Sequence, residues 1–308
     1  MTDLHLQNLR TEIPNERTRD LDLMTTEELL AVMNEEDHKC AEAVKEALPE
    51  IAEAVKICIA ALKQGGRMVY IGAGTSGRIG MMDSAECVPT FNCDRIIACL
   101  AGGFGAVSKG IENAEDNMEQ GAEDLKNLGF CDRDVVIGIA ASGRTPYVIG
   151  ALKYAGEIHA KRITISCNKQ AEISQYADAA IEVDAGSEVL TGSTRLKSGT
   201  CQKLICNMLS TASMQGIGKI YKNLMVDMVP TNAKLRDRAV RIISQAAECP
   251  VDTAREYYEL SDHDMKTAIV MILSGKTKEE AQECLRNADG FVPKPNSLRV
   301  PSSSWKTL

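Results

Sequence analysis

Apolar residues recur along this chain at two spacings, and the alternation between them predicts its elements. Val69-Tyr70-Ile71 is a short β-branched and aromatic run without alternation, and Ile96 to Leu100, Val135 to Ala140, Arg162 to Ser166 and Ala179 to Val183 are further short runs rich in Ile, Val and Ala. Such runs predict buried strands. Helical spacing fills the intervals: Thr75 to Cys87, which Pro89 is expected to stop, Ala106 to Lys126, and the stretch from Pro146 to Ile158. Upstream, Thr25-Thr26-Glu27-Glu28 can cap a helix carrying Leu29, Leu30, Val32 and Met33. The helical pattern resumes from His38 to Lys63, where Pro49 predicts either a kinked helix or two helices. Strands alternating with helices predict an α/β fold, a doubly wound five-stranded parallel sheet with helices on both faces.

Beyond the last strand the pattern changes. Thr194 to Lys219 predicts a long helix, and Val226 to Thr231 a strand or an extended link. Residues 234–288 carry only helical patterns, broken at Pro250, at Ser261-Asp262 and at Gly275. The expected organisation is an N-terminal arm over 1–25, the sheet domain over 26–233, a small helical bundle over 234–292 and a mobile tail over 293–308.

Composition narrows the function. With 308 residues, 44% of them hydrophobic, the chain can bury one sizeable core and a smaller unit. A net charge of −8 argues against non-specific nucleic-acid binding, and an anionic ligand would need local basic groups. The eleven cysteines form no C-x-x-C pair, so buried reduced thiols are expected. The four histidines lie far apart in sequence and form no ligand set, so no metal is expected. The chain shows no signal peptide and no apolar run long enough to span a membrane, which predicts the cytosol.

Two strand-to-helix loops carry candidate chemistry. The first is Gly72-Ala73-Gly74-Thr75-Ser76-Gly77-Arg78, and the second is Ser142-Gly143-Arg144-Thr145. Each combines hydroxyls and an arginine with the backbone N–H groups that open a helix, an arrangement that suits phosphate in one loop and sugar hydroxyls in the other. A well-capped helix start explains either loop taken alone. Gly72, Gly74 and Gly77 also fit G-x-G-x-x-G, but a dinucleotide site wants an acidic residue at the end of the second strand. Cys99-Leu100-Ala101-Gly102-Gly103 offers none, which demotes a nicotinamide cofactor.

Acid–base work then falls to carboxylates. Glu86 is expected near the C-terminus of the helix that the first loop opens, where the dipole and any burial would raise its pKa. From the residues alone, a frayed and solvated helix end is the favoured reading. Glu115 lies in Ile111-Glu112-Asn113-Ala114-Glu115-Asp116, where Glu112, Asp116, Glu119 and Glu123 predict an exposed helical stripe, and spacing does not single it out. A third cluster runs from Gly186-Ser187-Glu188 to Ser193-Thr194-Arg195-Leu196-Lys197. Its hydroxyls can cap the long helix, and its basic residues would oppose the dipole unless they face an anion.

At these residues the chain resembles a known family. The two Ser/Thr loops are similar to those of sugar isomerase, or phosphosugar-binding, domains. The stretch from Gly186 to Lys197 resembles a signature shared by bacterial N-acetylmuramic acid 6-phosphate etherases and the glucokinase regulatory protein. Asp83-Ser84-Ala85-Glu86-Cys87, Glu112 to Asp116, Ile139 to Tyr147 and Asn223-Leu224-Met225-Val226-Asp227 resemble the etherases in particular. The likeness runs from about Asn15 to Val292. It implies removal of D-lactate from carbon 3 of N-acetylmuramic acid 6-phosphate by elimination and hydration, with no metal or organic cofactor. It implies catalytic roles for Glu86 and Glu115, and substrate binding by Gly74, Thr75, Ser76, Gly77, Ser142, Gly143, Arg144, Thr145, Glu188, Ser193 and Lys197. It also implies a homodimer and a ubiquitin-associated-like C-terminal bundle. A sugar-phosphate sensor without catalysis and an aldose–ketose isomerase using Glu188 are the alternatives on the same fold.

Overall fold

The computed structural model describes residues 9–293. The start of the arm and all but the first residue of the expected tail lie outside the described residues. The described part of the arm is hydrogen-bonded to the sheet unit. Arg10 donates its N–H to Asn168 Oδ1 at 2.7 Å, and the buried Thr18 hydroxyl donates to the Val189 carbonyl at 2.7 Å.

The first helices are α1 (Thr26–Glu46) and α2 (Leu48–Lys63). A capping box between Thr25 and Glu28 opens α1, and Pro49 lies in the first turn of α2, so Pro49 marks two helices rather than a kink. The sheet elements follow as β1 (Met68–Gly72), α3 (Gly74–Phe91), β2 (Ile96–Leu100), α4 (Met118–Asn127), β3 (Val135–Ala140), α5 (Pro146–Glu157), β4 (Lys161–Ser166) and β5 (Ala179–Glu182). The five strands are all parallel, in the order β2-β1-β3-β4-β5. Val69, Tyr70, Val136, Ile137, Ile163 and Ile165 are fully buried, as strands covered on both faces require.

Two expectations for this region need correction. Pro89 does not stop α3, which continues to Phe91. Proline removes one donor, and so close to the end of the helix only one bond is lost. After a 3-10 turn at Phe104–Ala106, the stretch from Val107 to Asn117 is not α-helix but loop, with a second short 3-10 turn at Ala114–Asp116. Asn113 is left-handed, with φ of 60°, and the Asn117 side chain accepts from Gln120 N–H to start α4 afresh. The expected acidic stripe therefore keeps only Glu119 and Glu123 on a helix. The crossing of α4 on α5 depends on glycine: a Cβ at Gly121 would lie 1.9 Å from the Tyr147 carbonyl oxygen, and one at Gly150 would lie 1.8 Å from that of Met118.

After β5 come α6 (Lys197–Gly216), a hairpin of β6 (Ile220–Tyr221) and β7 (Leu224–Met225), then α7 (Ala233–Ala247), α8 (Val251–Leu260), α9 (Met265–Ser274) and α10 (Lys278–Asn287). The hairpin was not expected, and Val226 to Thr231 holds no strand. The chain forms two compact units, one running through Ala85 and from Arg95 to Ala212, the other made of Glu86–Asp94 and the chain from Ser213 on. The second unit has its own core, in which Ala239, Ile243, Ala254, Ala268 and Ile269 are nearly inaccessible.

Candidate active site

Strand β1 lies between β2 and β3, so the winding direction reverses between β1 and β3. Ligands in open α/β sheets bind beyond the carboxyl ends of the strands at such a switch. Both Ser/Thr loops leave the sheet there, one from β1 and the other from β3.

The first loop is shaped by close packing. A Cβ at Gly77 would lie 2.5 Å from the Gly72 carbonyl oxygen and 2.4 Å from Leu100 Cδ1, so only glycine lets α3 start this close to the strand. Gly74 is left-handed, with φ of 54°. Ser76 is buried and Thr75 half-buried. In the second loop Gly143 has φ of 74°, and the Ser142 hydroxyl accepts from Arg144 N–H at 3.3 Å. Thr145 precedes α5 but makes no side-chain cap hydrogen bond. The Arg144 guanidinium has no partner among the described residues, which leaves a cation at this end of β3.

Arg78 has a different task. Its Nε donates to the Val107 carbonyl at 2.9 Å and its Nη2 to that of Ala106 at 2.8 Å. That fixes the loop after β2 as a wall. Between this wall and the first loop lies a cleft of about 210 Å³, lined by Gly74, Arg78, Ala101, Glu112, Asn113 and Glu115 among others. A second hollow of about 500 Å³ shares Glu112, Asn113 and Ala114 and adds Asn117, Gln120 and Asp124. Asp124 is held there by the Tyr147 hydroxyl at 2.6 Å and by Gln120 Nε2 at 2.7 Å. Burial first, then the Asp124 hydrogen bond, pushes the Tyr147 phenol well above its usual range, so it stays a donor.

Glu115 thus reaches a cleft, on the 3-10 turn that Asn113 creates. Glu112 and Asn113 line both hollows and were missed as site residues. The available signal was the chain-breaking pair Gly110 and Asn113. Glu86 is exposed on α3, as the solvated reading has it, and the helix runs five residues past it to Phe91. One turn earlier, Asp83 is buried, accepting from Tyr70 Oη at 3.0 Å, Asn207 Nδ2 at 2.7 Å and Ser210 Oγ at 3.1 Å.

The third cluster is placed differently. The Glu188 carboxylate is buried and caps α6, accepting from Lys197 N–H, Ser198 N–H and Ser198 Oγ at 2.8–2.9 Å. The Lys197 ammonium is buried against Glu36 at 2.7 Å and the Ala185 carbonyl at 2.8 Å. Neither lines the cleft. The expected clash of basic residues with the dipole does not arise, because Lys197 is neutralised and Arg195 lies before the helix. Ser193 is half-buried in the preceding turn. Among the described residues no group of three or more His, Cys, Asp or Glu could hold a metal ion, and no helix is long and apolar enough to cross a membrane.

Residues 50–156 match the glucokinase regulatory protein N-terminal SIS domain, and residues 117–212 match the SIS domain. An N-acetylmuramic acid 6-phosphate etherase from Geobacillus sp. (strain WCH70) is 54% identical over 94% of this chain and 99% of its own. The chain belongs to the N-acetylmuramic acid 6-phosphate etherase family. A Staphylococcus aureus (strain USA300) member of that family is 52% identical over 96% of this chain and all of its own. Among solved structures, a phosphoheptose isomerase from Francisella tularensis is 20% identical, with a TM-score of 0.50, over 62% of this chain and all of its own. That likeness shows the fold which the etherase family shares with an isomerase.

Proposed function

We propose that this chain is a lyase that cleaves the D-lactyl ether of N-acetylmuramic acid 6-phosphate, leaving N-acetylglucosamine 6-phosphate. The observation that carries this is identity above 50% to etherases over nearly the whole length of both chains. The geometry supports it: a cleft at the switch point, two hydroxyl-bearing loops and a carboxylate, Glu115, on the cleft wall. Ser142, Thr145 and the first loop hold the phosphate, with Arg144 as counter-charge. In the ring-opened sugar the aldehyde acidifies the carbon 2 proton. Glu115 takes it, the carbon 3–oxygen bond breaks, and Glu86 gives the leaving lactate oxygen its proton. Water, deprotonated by Glu86, then adds to carbon 3, and carbon 2 regains a proton from Glu115.

The reading includes a sugar-phosphate domain joined to a ubiquitin-associated-like bundle, a homodimer and a cytoplasmic location. Sedimentation should find a species of twice the 33.4 kDa chain. Incubation with N-acetylmuramic acid 6-phosphate should release lactate. Binding without lactate release would make the chain a sensor, and aldose–ketose interconversion would make it an isomerase. The cap that Glu188 forms on α6 gives no support to a proton shuttle at that residue.

A further inference from the structure

Asp227 closes the family-like stretch from Asn223, and the chemistry above leaves it unused. Its carboxylate is 14% exposed, and Oδ2 faces two ammonium groups, Lys266 at 2.8 Å and Lys219 at 3.2 Å. Both lysines are also mostly buried, so these pairs are less screened than surface pairs. Each lysine also binds backbone. Lys266 donates to the Gly290 carbonyl at 3.1 Å and that of Gly218 at 3.5 Å. Lys219 donates to the Asn92 carbonyl at 3.5 Å. Two residues after Asp227, the Val229 N–H donates to the Pro89 carbonyl at 3.4 Å.

Pro89 lies in the last turn of α3 and Asn92 directly follows the helix, both in the segment of the second unit that begins with Glu86. Carbonyls in the last turn of a helix have no intrahelical donor. Here the donors come from the chain on either side of Asp227. One carboxylate offsets two cations, and without it the ammonium groups would repel each other. Lys219 would then leave Asn92, and the turn carrying Val229 would loosen from Pro89. Glu86 lies three residues before Pro89, one helical turn away.

We propose that Asp227 is a positioning residue for Glu86: by holding Lys219 and Lys266 together it fixes the last turn of α3, and so the direction in which Glu86 presents its carboxyl. This rests on Glu86 being the acid that protonates lactate.

The test uses full-length Asp227→Asn, Asp227→Glu, Glu86→Gln and Asp227→Asn/Glu86→Gln, with folding checked by circular dichroism. Two rates are read: lactate release from N-acetylmuramic acid 6-phosphate, and solvent deuterium exchange at carbon 2 of N-acetylglucosamine 6-phosphate. Asp227→Asn should lower kcat for lactate release by about 10²-fold, the usual cost of a misplaced catalytic group, with KM little changed. Exchange, which depends on Glu115, should persist. Asp227→Glu should recover part of the loss, and the double variant should be no worse than Glu86→Gln. Unchanged kcat in Asp227→Asn alongside a damaged Glu86→Gln overturns this inference alone. Parallel loss of exchange and lactate release also overturns it, since that marks general damage. Full activity in Glu86→Gln overturns both the inference and the reading beneath it. If Asp227→Asn does not fold, Lys219→Met removes the tie to Asn92 together with one of the two ammonium groups facing Asp227, and leaves Asp227 paired with Lys266. It should lower lactate release and spare exchange, and an equal fall in both overturns the inference.

Discussion

The Lys197 ammonium lies 2.7 Å from the Glu36 carboxylate, and each side chain is 1% exposed. Burial alone would raise the Glu36 pKa, but hydrogen bonds from Lys197 and Lys39 outweigh it and hold the group at about 2. The folded pKa lies below the ordinary glutamate value of 4.5, so the native state binds fewer protons. The stabilisation is complete above the unfolded pKa and is lost as pH falls from there toward 2, by about 3 kcal/mol in all. Glu36→Gln should remove this acid limb from the stability profile. At pH 7 it should cost about 3–5 kcal/mol, because Lys197 is left charged and buried. Urea unfolding at several pH values measures both. A variant as stable as the parent at pH 7 would show that Lys197 has another anion.

Glu86→Gln and Glu115→Gln should each lose about 10²–10⁴-fold in lactate release. Deuterium exchange separates them, with Glu115→Gln losing exchange at carbon 2 and Glu86→Gln keeping it. The opposite pattern would exchange their roles.

Ser142→Ala removes a hydroxyl at the end of β3. A hydrogen bond to a charged group is worth about 1.5–3 kcal/mol, so KM for the phosphorylated sugar should rise at least about tenfold while kcat changes little. Inhibition by inorganic phosphate should weaken in step. Unaltered KM and inhibition would make the loop purely structural.

Gly77→Ala places a methyl 2.5 Å from the Gly72 carbonyl oxygen and 2.4 Å from Leu100 Cδ1. The start of α3 must move off the strand, which should cost about 1–3 kcal/mol and weaken phosphate binding. Thermal unfolding with and without phosphate checks it, and an unchanged phosphate-induced shift would separate this packing from the ligand.

The sheet was legible because β1, β2 and β3 are unbroken apolar runs, and β2 and β3 begin and end where those runs do. The loops were legible because hydroxyls and glycines directly follow β1 and β3. What misled was local sequence that tertiary structure overrides. The acidic run around Glu112 has helical spacing, yet a left-handed Asn113 and the Asn117 cap break it into loop and helix, and the break is what brings Glu115 to a cleft. The resemblance implies binding roles for Glu188 and Lys197, and nothing beside them in sequence reveals the buried partners they have. Glu36 precedes Lys197 by 161 positions. The hairpin of β6 and β7 is too short to show a period.

The interrupted composition of the second unit has a consequence during synthesis. Glu86–Asp94 leaves the ribosome more than a hundred residues before Ser213, where the remainder of its unit begins. Chains fold as they emerge, at about 5–20 residues per second, so the parallel sheet can close while this short segment still lacks Lys219 and Val229. A nascent or truncated chain ending before those residues would display the phosphate loops and Glu115 with the Glu86 turn unsecured. Assembly of the proposed acid is therefore a late event, and a ribosome stalled beyond the sheet would carry the two Ser/Thr loops and Glu115 without it.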